Sequence, residues 1–317
     1  MRAHGTVTAK LHNYLLPLTT PFTPDLKVDH DAARHNVRHT LKIPGCGGLY
    51  FGSVYQEFWT LTTAERIRLL EVVADELNGR APLIAGVSST SLEQSVELAL
   101  AAVEAGADIL MAWPPIWGPR DRKSVRRFYL QFAARVSHPM FIYSTTLSEL
   151  GFYLDPSSIK ELVAEIPDIC GVKDGSGSVT TFLSLTAELG DRVVVGTPFE
   201  EYWGLARQAY PDKSADFLLG ASRPMYMQSA SKPFLFSGLN LLRAGKVELA
   251  FKELDKVSEI VSMQMESFRH GEHPIALAKY ACSLLGQKGE DVRPPTPQLS
   301  EGGMAGIRAL LLKLKLI

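Results

Sequence analysis

From Leu15 to about Gly220, short continuous apolar runs alternate with longer stretches whose apolar residues recur at helical spacing. The runs are Tyr14–Leu18, Gly48–Phe51, Leu83–Val87, Asp108–Met111, Met140–Tyr143, Ile169–Lys173, Val193–Gly196 and Asp216–Leu219. Each is continuous rather than alternating, which predicts strands covered on both faces, as in a parallel sheet. The intervening stretches carry helix starts. Thr62 with Glu65 and Ser91 with Gln94 read as capping boxes. Asp155-Pro156 and Thr197-Pro198 place a cap residue before a proline at the first helical position. Eight strand–helix units in about 220 residues predict an α/β fold, the (β/α)8 TIM barrel. The rival, a doubly wound sheet, carries a Gly-rich phosphate turn after its first strand, and Leu18-Thr-Thr-Pro-Phe22 is not one.

Beyond about residue 224 the pattern is helical only. Helices are expected over Ser237–Arg243, Lys246–Phe268, Pro274–Leu285 and Gly303–Leu314, broken at Gly271-Glu-His-Pro274 and at Arg293-Pro-Pro-Thr-Pro297. The expected organisation is a barrel over residues 1–223 and a C-terminal helical extension over 224–317, packed on the barrel. The chain has 317 residues and a formal net charge of -1, which gives no electrostatic reason to expect nucleic acid or an anionic membrane as partner. Cys46, Cys170 and Cys282 are far apart and show no zinc spacing, so neither a disulfide framework nor a metal site is expected, and a reducing cytoplasm is. No signal-peptide pattern opens the chain, and no apolar stretch reaches the roughly 18 residues of a membrane span.

In such a barrel, catalytic groups sit at the C-terminal ends of strands. Those tips read Thr19-Thr20, Gly52–Glu57, Trp113–Trp117, Tyr143–Thr145, Lys173-Asp174, Gly196-Thr197 and Gly220–Ser222. They are rich in hydroxyls and aromatics and lack the clustered histidines and carboxylates of a metal site. His35 and His39 share a helix face, but on a helix and not on a tip. A lysine buried at a strand end has its pKa pulled down from roughly 10.4, toward the neutral amine that attacks carbonyls. Tyr143 supplies a phenol that can move protons. On position alone, a snorkelling surface lysine and a core tyrosine remain equal alternatives. The basic run Arg120, Arg122, Lys123, Arg126 and Arg127 reads as a solvated helix start or a subunit contact.

Several separated motifs together resemble the dihydrodipicolinate synthase/N-acetylneuraminate lyase family. They are Pro17-Leu-Thr-Thr-Pro-Phe22 followed by Val28-Asp29, the tip Gly52-Ser53 with Glu57, Thr60-Leu-Thr-Thr-Ala-Glu65-Arg66, Ile142-Tyr143, and Gly171-Val-Lys173-Asp-Gly-Ser-Gly177. The resemblance runs in order from about residue 13 to 290. It implies a TIM barrel with a helical C-terminal region and a class I Schiff-base mechanism on a pyruvate-type 2-oxo acid, with an aldehyde as second substrate. It also implies a homotetramer built as a dimer of dimers. By matching position, Lys173 is the imine lysine, Tyr143 the proton shuttle and Ser53 the hydroxyl that holds the substrate carboxylate. Val54, Tyr55, Trp117, Gly196 and Gly220 count as substrate-binding positions. No metal or organic cofactor is expected, because the lysine is itself the electron sink.

The departures from the family pattern are specific. Val54 stands at a hydroxyl position of the family's Gly-Thr-Thr-Gly-Glu loop, so one carboxylate donor is lost or replaced by backbone, Tyr55 or Gln56. The wall Tyr143-Ser-Thr-Thr-Leu-Ser148-Glu149 holds no arginine for a second carboxylate. Trp117 stands where the synthases place a relay tyrosine, and an indole cannot relay a proton as a phenol does. These losses argue against lysine-biosynthetic condensation. Pro114-Pro-Ile-Trp117-Gly-Pro-Arg-Asp121 is similar to the hydratase-aldolase branch, and Trp113, Trp117, Phe58, Trp59 and Tyr55 could line an apolar pocket for an aryl-substituted substrate. Aldol cleavage or condensation, or dehydration, is therefore the expected reaction. The alternatives are a dihydrodipicolinate synthase-like condensation and a non-catalytic barrel that binds a small acid.

Overall fold

The computed structural model describes residues 4–146, 153–267 and 272–317. Ser148 and Glu149 of the β5 wall, Phe268 at the end of the expected long helix and Gly271 of its break lie outside the described residues. Each of the expected apolar runs is a strand, with ends shifted by a residue or two. They are β1 Asn13–Pro17, β2 Cys46–Phe51, β3 Leu83–Gly86, β4 Ile109–Ala112, β5 Met140–Thr145, β6 Ile169–Gly175, β7 Val194–Gly196 and β8 Phe217–Leu219. They form one 8-stranded sheet in the order β7-β6-β5-β4-β3-β2-β1-β8, with parallel pairing. The Leu219 N–H donates to the Thr197 carbonyl at 3.0 Å, which brings the two ends of the sheet together. The fold is a (β/α)8 barrel followed by C-terminal helices.

The helices are α1 Gly5–Thr8, α2 His30–Thr40, α3 Thr63–Leu77, α4 Leu92–Glu104, α5 Arg122–Arg135, α6 Pro156–Glu165, α7 Val179–Leu189 and α8 Glu200–Ala209. The C-terminal set is α9 Arg223–Tyr226, α10 Phe234–Arg243, α11 Val247–Asp255, α12 Ser258–Ser267, α13 Pro274–Leu284 and α14 Glu301–Lys313. Thr62 and Glu65 form the full capping box of α3, and Asp155 caps α6 ahead of Pro156. Ser91 caps α4, but the Gln94 side chain accepts from the Ser89 and Ser91 hydroxyls, so no full box is seen. Thr197 is not a cap: α8 begins at Glu200 with Phe199 before it. The single helix expected over Lys246–Phe268 is two. Lys256 and Val257 donate three residues back, to Glu253 and Leu254, and this tighter turn separates α11 from α12. No helix among the described residues is long and apolar enough to cross a membrane.

The chain divides into two compact units. The first gathers Met1–Leu15, Gly47–Phe51 and Ala81–Gly220, and so holds nearly all of the sheet with α4 to α8. Inside it, Phe141 and Phe217 stack with centroids 6.2 Å apart. Glycines on the strands between leave the room: a Cβ on Gly171 would lie 2.3 Å from the Phe141 ring, and one on Gly196 would lie 2.8 Å from Phe217. Successive inward residues on a strand are two apart, so Tyr143 and Lys173 occupy the layer after Phe141 and Gly171. Outside, ion pairs join successive helices: Arg135 to Glu93, Arg122 to Glu161, Arg126 to Glu165 and Lys160 to Glu188. Each is exposed, where solvent screening leaves an ion pair little net effect on stability. Of the basic run, Arg122 and Arg126 are thus engaged with Glu161 and Glu165 of α6.

The second unit gathers Leu16–Cys46, Gly52–Arg80 and Ala221–Ile317. It contains α2, α3, the C-terminal helices and two 3-10 turns, Val54–Gln56 and Phe58–Thr60. Arg34 and Arg38 of α2 pair with Asp75 and Glu76 of α3. Asn36 exchanges two hydrogen bonds with the backbone of Lys288, at 2.9 and 2.8 Å. His35 and His39 stack on α2, and His35 Nε2 lies 2.8 Å from the Gly286 carbonyl, so the pair serves packing within the unit.

Overpacking the aromatic layer should be costly. Gly171→Ala is expected to lower the unfolding free energy by about 1–3 kcal/mol in urea titrations, because both the Phe141 ring and the strand must shift.

Candidate active site

Lys173 owes its place to β6. Ile169, Cys170, Gly171 and Val172 are buried, and the lysine follows them at the strand's C-terminal end. It pairs in register with Tyr143 on one side and Gly196 on the other. Its amine lies over the Tyr143 ring, 3.9 Å from the centroid, and 5.4 Å from that of Tyr50. Lys173 and Tyr143 are each only 5% exposed. Trp113 packs edge-on against Tyr143 with centroids 5.3 Å apart. Gly220, at φ +73, closes on the amine: a Cβ there would lie 3.0 Å from Nζ and 3.3 Å from the Tyr50 ring. Only glycine holds that left-handed backbone without strain and also leaves the amine free. A Cβ on Gly175 would lie 2.9 Å from the Tyr143 hydroxyl, so glycine there keeps the phenol uncovered.

Burial sets the electrostatics. It pulls Lys173 down to about 7, with the nearby Asp174 carboxylate opposing. Cation–π attraction to the two rings, about 1–2 kcal/mol, also favours the ammonium without cancelling the shift. Burial pushes Tyr143 up to about 12, a hydrogen bond with Thr145 works against that, and the Asp174 charge adds to it. The phenol is therefore protonated at neutral pH. Asp174 is itself pushed up to about 6 by burial, while the Ser176 hydroxyl and amide hold its carboxylate at 3.1 and 3.3 Å. Cys170, raised to about 12 by burial, is an inert thiol. The arrangement can supply a substantial fraction of neutral amine at neutral pH beside a phenolic proton donor.

Ser53, Val54 and Tyr55 lie in the second unit. Ser53 is 2% exposed, and its Oγ has no hydrogen-bond partner among the described residues. The loop is tied at both ends. The Gln56 side-chain oxygen accepts the Gly52 N–H, and the Gln56 carbonyl accepts the Thr20 hydroxyl at 2.7 Å. The Tyr55 hydroxyl accepts from Ser222 at 2.7 Å and from Gln264 at 3.2 Å.

The expected aromatic lining is dispersed in its contacts. Phe58 packs edge-on with Trp59 and carries the Arg66 guanidinium on its face. Trp59 is 41% and Trp117 76% exposed, and of the set Trp113 is the one seen against Tyr143. Sequence reasoning missed Tyr50, although it sits on β2 two residues before the Gly52 tip. It also gave Asp174 no role, although a carboxylate next in sequence to the lysine was there to be weighed. No group of three His, Cys, Asp or Glu among the described residues could hold a metal ion.

The lowered pKa has a measurable consequence for folding. Between about 7 and 10.5 the unfolded chain holds more protons on Lys173 than the folded one, so this group's penalty is full below 7 and fades as pH rises. Lys173→Met is therefore expected to stabilise the protein by a few kcal/mol at about pH 6, with the gain shrinking toward about pH 10, as read from urea unfolding at each pH.

Comparison with known proteins agrees with this architecture. The YagE protein of E. coli K12, solved in complex with pyruvate, superposes with a TM-score of 0.83 at 23% identity, covering 96% of this chain and 99% of that one. An N-acetylneuraminate lyase from Fusobacterium nucleatum gives 0.80 at 21%, with 96% and 99% covered. A 4-hydroxy-tetrahydrodipicolinate synthase of Methanopyrus kandleri is 28% identical over 301 residues, 95% of each chain. The model of the dihydrodipicolinate synthetase family matches residues 10–210. With the fold, the sequence match and the relatives in agreement, the chain belongs to the dihydrodipicolinate synthetase family, whose members are lyases and synthases.

Proposed function

We propose that the protein is a Schiff-base-forming lyase or aldolase acting on a pyruvate-type 2-oxo acid. The observation that carries this reading is the amine of Lys173, held near neutrality by burial and lying on the face of Tyr143. The Lys173 amine attacks the ketone carbon, and the carbinolamine loses water to give a protonated imine. The imine draws electrons from the adjacent carbon, which stabilises the enamine formed as a carbon–carbon bond breaks or a proton leaves. Tyr143 gives a proton to the departing oxygen and recovers it, with the Thr145 hydroxyl as its neighbour for exchange. Ser53 receives the substrate carboxylate, and Val54 and Tyr55 border it. Gly196 and Gly220 leave the space around the lysine. The chemistry calls for no metal or organic cofactor. Pyruvate complexes of YagE and of an Acinetobacter baumannii dihydrodipicolinate synthase support the choice of substrate class.

Synthesis of dihydrodipicolinate is the second reading, favoured by the Methanopyrus relative matched along 95% of the chain. Val54, Trp117 and the wall after Tyr143 weigh against it, since that condensation needs a relay and a grip on a second carboxylate. Cleavage or dehydration of a 2-oxo acid with a less polar tail is preferred. The exposed Trp117 indole is assigned to the interface between copies in a cytoplasmic homotetramer.

Borohydride added with pyruvate should fix a pyruvate-derived mass on the peptide containing Lys173. Labelling should rise about tenfold per pH unit below about 7 and level off above it, as the neutral amine does. An ammonium–carboxylate contact in a mere binding barrel would instead persist at low pH. A wild-type chain that stays unlabelled would end the imine reading. Tyr143→Phe is expected to slow turnover by about 10²–10⁴ while Lys173 still takes label on long incubation. Turnover with aspartate semialdehyde, compared with aryl-pyruvate and sugar-acid substrates, separates the two readings.

A further inference from the structure

The second unit contains an ion pair that the proposed mechanism does not use. The side chains of Glu57 and Lys279 are both 0% exposed, and the Lys279 ammonium donates to Glu57 Oε1 at 2.8 Å. The other oxygen, Oε2, accepts the Arg293 backbone N–H at 3.0 Å. Lys279 also donates to the Asp291 carbonyl. The cations of Lys279 and Arg293 lie over the same Phe22 ring, 4.5 and 4.6 Å from its centroid. The Arg293 guanidinium is spent on the Leu26 and Thr60 carbonyls and on both oxygens of Glu65.

Stability alone does not account for this cluster. Removing two charges from water costs several kcal/mol per ion, and packed apolar residues of the same volume commonly serve the fold as well or better. The geometry shows what the pair adds. Glu57 has φ 52 and ψ 40, a left-handed backbone that is strained for a residue with a side chain. It persists where the surroundings over-determine it. Glu57 is also the pivot between the two 3-10 turns: its N–H donates to the Val54 carbonyl, and its carbonyl accepts the Thr60 N–H and hydroxyl. Gln56, the residue before it, closes the loop back onto Gly52, and within that loop stands the unpartnered Ser53 hydroxyl.

We propose that Glu57, clamped by Lys279 and the Arg293 amide, is the positioning residue of the Ser53 loop, fixing the left-handed turn that aims Ser53–Gln56. Its effect on substrate rests on the reading that this loop receives the carboxylate; its effect on the loop does not. The pair touches no reacting atom. It acts by keeping the loop in one conformation before the ligand arrives, which lowers the ordering cost of capture.

The test pairs an apolar replacement of the clamp with two independent readouts. Glu57→Leu combined with Lys279→Met removes both charges and keeps the volume. The double variant is expected to fold with a Tm near that of the wild type, while amide exchange across Phe51–Leu61 accelerates by about tenfold or more relative to α3. The pyruvate concentration for half-maximal borohydride labelling of Lys173 should rise about tenfold or more, with the plateau unchanged. Lys279→Arg keeps the cation and should preserve both readouts. Glu57→Gln, which weakens the clamp without emptying the site, should move both and stands in if the double variant does not fold. Loop exchange within about twofold of wild type in a folded variant lacking the clamp overturns the proposal. A faster loop with an unchanged pyruvate dependence upholds the positioning role and removes the assignment of the carboxylate to this loop. If the wild type takes no label, the imine reading falls and the exchange measurement alone decides the positioning role.

Discussion

The Lys173 amine lies on the face of the Tyr143 ring in a place nearly closed to water, and the interior of the first unit follows from what that contact requires. A charged amine is disfavoured there because no high-dielectric solvent surrounds it. The stacked Phe141 and Phe217 rings below keep the neighbouring layer apolar. Gly220 brings backbone, and nothing bulkier, up to the amine. Asp174 is close enough to be felt, yet its carboxylate is turned to Ser176, so the amine is not committed to a fixed ion pair.

Among the described residues two lysines are buried, and they are treated in opposite ways. Burial lowers the pKa of both. At Lys279 the Glu57 carboxylate opposes the shift through charge and a hydrogen bond, and the Asp291 carbonyl accepts a further hydrogen bond from the ammonium. Lys173 has aromatic faces where Lys279 has acceptors, and a π face can be left at far less cost than a direct carboxylate bond. Under the proposed function, the amine that forms the imine must be able to give up its proton, whereas the one proposed to organise the loop must keep it.

Much of this was legible in the sequence because parallel strands buried on both faces leave continuous apolar runs, and each run from Tyr14–Leu18 to Asp216–Leu219 became a strand. Lys173 and Tyr143 were legible because they end such runs. What escaped was set by distant or lateral contacts. Glu57 and Lys279 stand 222 residues apart, and nothing local marks Lys279 as different from a surface lysine on a helix. Tyr50 faces the amine from inside a strand, so reading only the tips passed over it. Thr197 carries the local chemistry of a cap, yet Thr197 is buried where its carbonyl takes the Leu219 N–H, and α8 starts later. The exposure of Trp117 is a property of its loop, which the residue type does not announce.

One detail of the sheet has a wider consequence. Along β5 and β6 the pairing runs Met140 with Ile169 and then Phe141 with Gly171, so Cys170 is an extra residue and the register slips by one. Unslipped pairing would set Tyr143 opposite Val172 and Lys173 opposite Ser144. The amine and the phenol would then fall on opposite faces of neighbouring strands. The meeting of the amine and the phenol is therefore a matter of parity. A single inserted position, Cys170, whose own thiol is inert, determines whether the two side chains face each other.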